Sequence, residues 1–201
     1  MLKLVEANVR SPESSSQKKS SDMDLVTPSW DFAFGQESKL ISLTRRLRLR
    51  KNVEEAVEKA LSSFRGDFNY AESTLLSIAN NVIEIRTDLI PRIATGFGGG
   101  ISRQGYVCGA VSGAVIGFGL KYGRSSPDEL RASTYNRVVE FYKQFQERFG
   151  SIICKELSGC DLSAIEGVRK FRAESIHERK CTHFVAGAVE IFTSLVDEKQ
   201  T

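Results

Sequence analysis

The sequence predicts an all-α fold, a compact bundle of several helices with a glycine-rich helix at its centre. Three observations carry that prediction. Apolar residues recur at three- and four-residue intervals over 53–64, 71–82, 138–149 and 181–192. Between these stretches stand residues that stop or start helices: Gly66, Asn69, Ser126 and Gly150. No stretch of the core alternates apolar and polar residues as a half-buried strand does.

In chain order, residues 11–22 read SPESSSQKKSSD, a Ser- and Lys-rich run with almost no apolar content, expected to be disordered. Residues 23–38 hold Trp30, Phe32 and Phe34 without a period. Residues 39–52, KLISLTRRLRLRKN, put Leu40, Leu43 and Leu47 at helical spacing with arginines between them. Such a basic amphipathic helix can touch an acidic partner or surface, or form a solvated face leading into the domain. The first domain helix follows with Val53, Ala56, Val57, Ala60, Leu61 and Phe64, and stops at Gly66. Asn69 caps a second helix striped by Ala71, Leu75, Ile78, Ala79 and Val82. A short third helix is expected over 89–95, with Pro91 in its first turn. In SPDE, Ser126 reads as an N-cap, Pro127 as the first helical residue and Glu129 as the other half of a capping box. That helix is expected to run to Phe149, burying Val138, Phe141, Tyr142, Phe145 and Phe149, and to end at Gly150. A short helix at Cys154, a polar connection over 159–167 and a last helix from near Ser175 complete the series. The domain is expected over 53–197, with a flexible extension over 1–52 that carries the basic segment 39–51, and a tail over 198–201.

Composition narrows the function classes. The chain has 201 residues, 41% hydrophobic and 26% charged, which fits one ordinary globular domain plus a tail. The net charge is +3, but the run of Arg45, Arg46, Arg48, Arg50 and Lys51 accounts for it. The remainder is slightly acidic, so no nucleic-acid partner is expected. The most apolar run, 106–120, is shorter than a membrane span, and no secretory signal is visible. A domain of this size needs no disulfide staple, so Cys108, Cys154, Cys160 and Cys181 are expected to be reduced, in a cytoplasmic setting. Chemistry or metal binding then outweighs stapling. GFGGG does not fit a phosphate-binding fingerprint, since neither a preceding strand nor a following GK[ST] is present. With both histidines, His177 and His183, near the C-terminus, a Ser-His-Asp triad has little support. Glu54, Glu55, Glu58, Glu140 and Glu147 fall on polar faces and need no role beyond solvation.

Six of the nine glycines over 96–119 fall into two sets. Gly109, Gly113 and Gly117 lie four residues apart, a bare stripe that lets another backbone approach closely, widened by Ala110 and Ala114. Gly98, Gly99 and Gly100 read as a turn with positive φ, or as amides free to approach a bound cofactor. Cys108 falls at the start of the striped helix, where a helix N-terminus, with Arg103 near in sequence, is expected to favour the thiolate. A small structural cysteine is the alternative.

The string GFGGGISRQGYVCGAVSGAVIGFGLKYG, followed by FGSIICKELSGCDL and KCTHFVAGAVEI, resembles the C-GCAxxG-C-C family, from about residue 53 to 195. The resemblance implies a small helical protein with four characteristic cysteines, held to be redox-active, with a metal or iron–sulfur centre as one option. On that pattern Cys108 is the CGAxxG cysteine, Cys154 the cysteine after FGS, and Cys181 the one opening the last helix. The family's first cysteine stands between asparagine and alanine; here the segment is Asn69-Tyr70-Ala71, and Tyr70 replaces the thiol.

Two chemistries follow. In the first, two of Cys108, Cys154 and Cys181 cycle between dithiol and disulfide with a redox partner protein or small thiol, Cys108 being the expected nucleophile. In the second, the three bind zinc or an iron–sulfur cluster, with Cys160 or His177 as the fourth ligand. His177 is four residues before Cys181 and shares its helix face; His183 points away. A third reading is a helical binding or structural protein that has lost the redox chemistry through Tyr70. A homo-oligomer is compatible with all three.

Overall fold

The computed structural model describes residues 30–197. The expected disorder over 11–22 and the tail over 198–201 lie outside the described residues. The chain divides into two units, Met1–Leu40 and Ile41–Thr201. Of the first, the described residues are the opening turns of α1 (Trp30–Arg65), which takes in the whole of 39–52 and the first domain helix as one element. The second unit holds α2 (Tyr70–Ser77), α3 (Leu89–Ala94), α4 (Gly109–Tyr122), α5 (Ala132–Phe149), α6 (Cys154–Ser158), α7 (Ile165–Ala173) and α8 (Thr182–Asp197). Among the described residues the protein is all-α, with one isolated antiparallel bridge between Val107 and Ile153. No helix among them is long and apolar enough to cross a membrane.

Most elements start and stop where local chemistry requires. Asn69 closes a full capping box on α2: its side chain accepts from the amides of Ala71 and Glu72, and the Glu72 carboxylate accepts from the Asn69 amide. α2 then widens into a π turn, Ile78–Val82. Pro91 sits in the first turn of α3 as expected. Gly150 ends α5 in the left-handed conformation.

Two expectations are corrected. The SPDE segment makes its local bonds, Ser126 Oγ accepting from the Asp128 amide and Glu129 from the Ser125 amide, yet they close a turn and α5 begins only at Ala132. Leu130 is 86% exposed, so a helix begun at Ser126 would bury nothing in its first turns. The supposed polar connection over 159–167 already contains the start of α7. The last helix opens with a π turn, His177–Cys181, before α8.

Packing is arranged around α4. The stripe of Gly109, Gly113 and Gly117 lies on α2 and α8. A Cβ on Gly113 would meet the Ala71 carbonyl oxygen at 2.6 Å, and one on Gly117 would meet the Ile78 side chain at 2.7 Å and the Phe192 ring at 3.1 Å. At the far end of α4, Phe118 packs on Phe192 (ring centroids 4.4 Å) and on Phe141 (5.8 Å), and Phe141 on Phe145 (5.9 Å). These four rings are fully buried. At its near end α4 begins beside the cysteines.

Candidate functional site: a buried cluster of three thiols

Each site residue stands at the beginning of a helix. Cys108 is the N-cap of α4 and Cys154 the first residue of α6. Cys181 closes the π turn that leads into α8, and Tyr70 is the first residue of α2. The Val107–Ile153 bridge ties two of these starts together. The Cys108 amide donates to the Ile152 carbonyl (2.8 Å), the Cys154 amide to the Tyr106 carbonyl (2.6 Å), and the Lys155 amide to the Gly105 carbonyl (3.1 Å). These bonds set Cys108 and Cys154 on neighbouring stretches of chain. The glycine stripe of α4 brings α2 close enough to set Tyr70 alongside: a Cβ on Gly109 would lie 3.2 Å from that of Tyr70.

Tyr70, Cys108, Cys154 and Cys181 share the wall of one small cavity, closed by Leu157, Leu162, Phe171 and Phe184. The lining is almost wholly apolar, and the space holds about one water molecule. The cysteines are free thiols, 6%, 8% and 7% exposed for Cys108, Cys154 and Cys181, so none of the three stands out by access.

Burial sets their acidity. Burial pushes the Cys108 thiol up, against the amides of Ala110 and Val111, which donate to its sulfur and pull the other way. Cys154 is pushed up to about 12, first by burial and then by the Cys108 and Cys160 sulfurs. Cys181 is likewise pushed up to about 12, first by burial and then by Cys108, while a hydrogen bond with Tyr70 acts in the opposite sense. The expectation of a thiolate at Cys108 is therefore corrected: the helix N-terminus is aimed at the sulfur, but loss of water outweighs it. Tyr70 is held neutral by burial and by the Cys181 sulfur.

The other expected site residues lie around the cavity. Cys160 is 2% exposed and acts on Cys154, but it is not part of the cavity wall; its amide is bound by Ser158 Oγ (3.1 Å). His177 lies behind Tyr70, with its Nδ1 3.2 Å from the Tyr70 hydroxyl and its ring stacked flat on Phe64 (4.1 Å, 13°). Gly98, Gly99 and Gly100 enter a left-handed turn that continues through Ile101, Ser102 and Arg103, with positive φ at every residue from Gly99 to Arg103. Gly100 packs on Cys154, where a Cβ would come within 2.6 Å of that of the cysteine. The role of Tyr70 and its contact with His177 were not readable from the sequence, although the helix-start signal at Asn69 was.

The cluster does not fit a metal centre as it stands. Among the described residues no three His, Cys, Asp or Glu side chains are arranged to hold a metal ion. The fourth corner is a neutral phenol rather than a soft thiolate.

Fold and site together define a small helical protein with a buried group of cysteines at converging helix starts. The chain belongs to the family described as "putative redox-active protein (C_GCAxxG_C_C)", whose model matches residues 68–195. It is also similar to an uncharacterized protein of Archaeoglobus fulgidus, 29% identical over 160 residues, which span 74% of this chain and 99% of the relative. No solved structure matches the chain.

Proposed function

We propose that this chain is a redox protein that takes up and gives back two electrons as a dithiol/disulfide pair within Cys108, Cys154 and Cys181. The observation that carries the reading is the convergence of three free thiols, from three helix starts, on one apolar cavity. Cys108, tied to the start of α6 by the Val107–Ile153 bridge and sharing the cavity wall with Cys181, is the common partner in either disulfide. In the oxidising direction a thiolate of the cluster attacks an acceptor disulfide, on a partner protein or a small molecule, and displaces one acceptor thiol. A second cluster sulfur then attacks the mixed disulfide and releases the other acceptor thiol. Two thiols become one disulfide, and the acceptor leaves as a dithiol carrying the two electrons and two protons.

The apolar wall keeps the thiols protonated and slow to react, so the cluster is a guarded store of electrons rather than an exposed nucleophile.

The test is a thiol count on the unfolded chain before and after mild oxidation, with peptide mapping of any bridge. The expected result is loss of two of the four thiols, a bridge that includes Cys108, and no internal bridge in Cys108→Ser. The rate should rise from pH 7 to pH 9, because both values lie below the acidity of the buried thiols. Four thiols surviving oxidation, or stoichiometric iron or zinc lost in Cys108→Ser, would overturn the reading.

A further inference from the structure

Oxidation of a buried dithiol must move protons out of the cavity, and the wall offers few polar atoms to carry them. Ser158 Oγ is committed to the Cys154 carbonyl (2.7 Å) and the Cys160 carbonyl (3.2 Å). The remaining polar side chain of the wall, apart from the thiols, is Tyr70. Tyr70 shares the cavity wall with Cys181, and its hydroxyl lies 3.2 Å from His177 Nδ1. His177 is half-buried, and its ring is held by the stack on Phe64.

We propose that Tyr70 and His177 form the proton exit of the cluster, with Cys181 as the thiol they deprotonate. This rests on the dithiol reading above. The Cys181 thiol gives its proton to the Tyr70 oxygen as Tyr70 gives its own to His177 Nδ1. The imidazolium then releases its Nε2 proton to water. Tyr70 ends as it began, Cys181 is a thiolate, one proton has reached solvent, and His177 is left as the Nδ1–H tautomer, which returns to Nε2–H by exchange with water. The tautomer needed, Nε2–H with a free Nδ1 lone pair, is the one that accepts from a phenol, and phenol-to-imidazole hydrogen bonding of this kind suits general base catalysis.

The surroundings favour this direction of flow. Tyr70 faces Phe64 of α1, Cys108 and Gly109 at the start of α4, Cys154 of α6, and Cys181 and His177 of the π turn. None of these is a carboxylate that would compete for the proton. The cation acting on Cys181 is Lys180, which favours its thiolate and is anchored on the Ser158 carbonyl (3.3 Å).

The experiment follows bridge formation in the full chain after rapid mixing with an aromatic disulfide, in wild type, Tyr70→Phe, His177→Gln and His177→Ala. Expected are bridge-formation rates at least about tenfold lower in all three variants with the same final extent. Added imidazole should restore His177→Ala and leave Tyr70→Phe unchanged, a response that a structural role does not produce. Wild-type rates in Tyr70→Phe or His177→Gln, or slow rates that imidazole does not restore in His177→Ala, would overturn the proposal while leaving the dithiol reading intact. Absence of any bridge in the wild type removes both.

Discussion

The two ends of α4 differ in kind. Around Phe118 the helix meets three other buried phenylalanines, and the rings interlock at centroid distances of 4.4–5.9 Å. Around Cys108 the same helix begins beside a cavity, with three thiols and a phenol that fill the space incompletely. One end excludes water by packing, the other by apolar walls around polar atoms. The lesson is a division of labour along one helix: the aromatic end supplies stability, and the sulfur end keeps reactive groups that a well-packed core would have no need of. The glycine stripe links the two, because only a side-chain-free face lets α2 run along α4 and deliver Tyr70 to the thiols.

Breaking the aromatic end should cost the most. Phe118→Ala removes a fully buried ring and should destabilise the fold by about 3–5 kcal/mol. If the two ends are as separate as their packing, the identity of the oxidised cysteine pair should not change in the fraction that remains folded. Chemical denaturation gives the first quantity and peptide mapping the second; a changed pairing would mean that the ends are one unit. Gly113→Ala tests the link between them. Its new Cβ would lie 2.6 Å from the Ala71 carbonyl, a backbone atom that cannot swing aside, so α2 must retreat. The expected cost is about 1–3 kcal/mol, and because Tyr70 opens α2, Cys181 should lose its phenol contact as well. An unchanged denaturation midpoint would dispose of the close-packing argument.

The sequence carried much of this, and its silences have physical causes. The stripes of α1, α2, α5 and α8, the Asn69 cap, and the stops at Gly66 and Gly150 are local signals, and the fold obeys them. The glycine stripe was readable because three glycines at four-residue spacing mean a face without side chains whatever it meets. The start of α5 was misread because SPDE satisfies its own hydrogen bonds in a turn, while helix growth needs a buried face that begins only further on. α7 was missed because Gly167 stands within it and its first apolar residue, Ile165, is 68% exposed. The acidity of Cys108 was misjudged for a different reason. The helix-start amides are a local effect and were visible, whereas burial is contributed by α2, α6 and α8, which lie far away in sequence.

The smallest predicted effect concerns the sulfur end alone. Ile101, Ser102 and Arg103 hold φ of 58°, 49° and 67°, values that cost a residue with a Cβ roughly 1–2 kcal/mol each. Nothing local in ISR asks for that conformation, and isoleucine is a poor choice for it. The turn is held instead by bonds across its ends, Arg103 amide to Gly98 carbonyl (3.1 Å) and Tyr106 amide to Gly100 carbonyl (3.1 Å), and by the contact of Gly100 with Cys154. Ile101→Gly should relieve the strain. Glycine also loosens the unfolded chain, which offsets part of the gain, and Ile101 is 41% exposed, so little burial is lost. The net expectation is a stabilisation of about 1 kcal/mol in denaturant melts. The aromatic end contains no residue with φ in this range, and no glycine substitution there should stabilise. A destabilised Ile101→Gly would show that the Ile101 side chain, not the cross-turn bonding, holds the loop against Cys154.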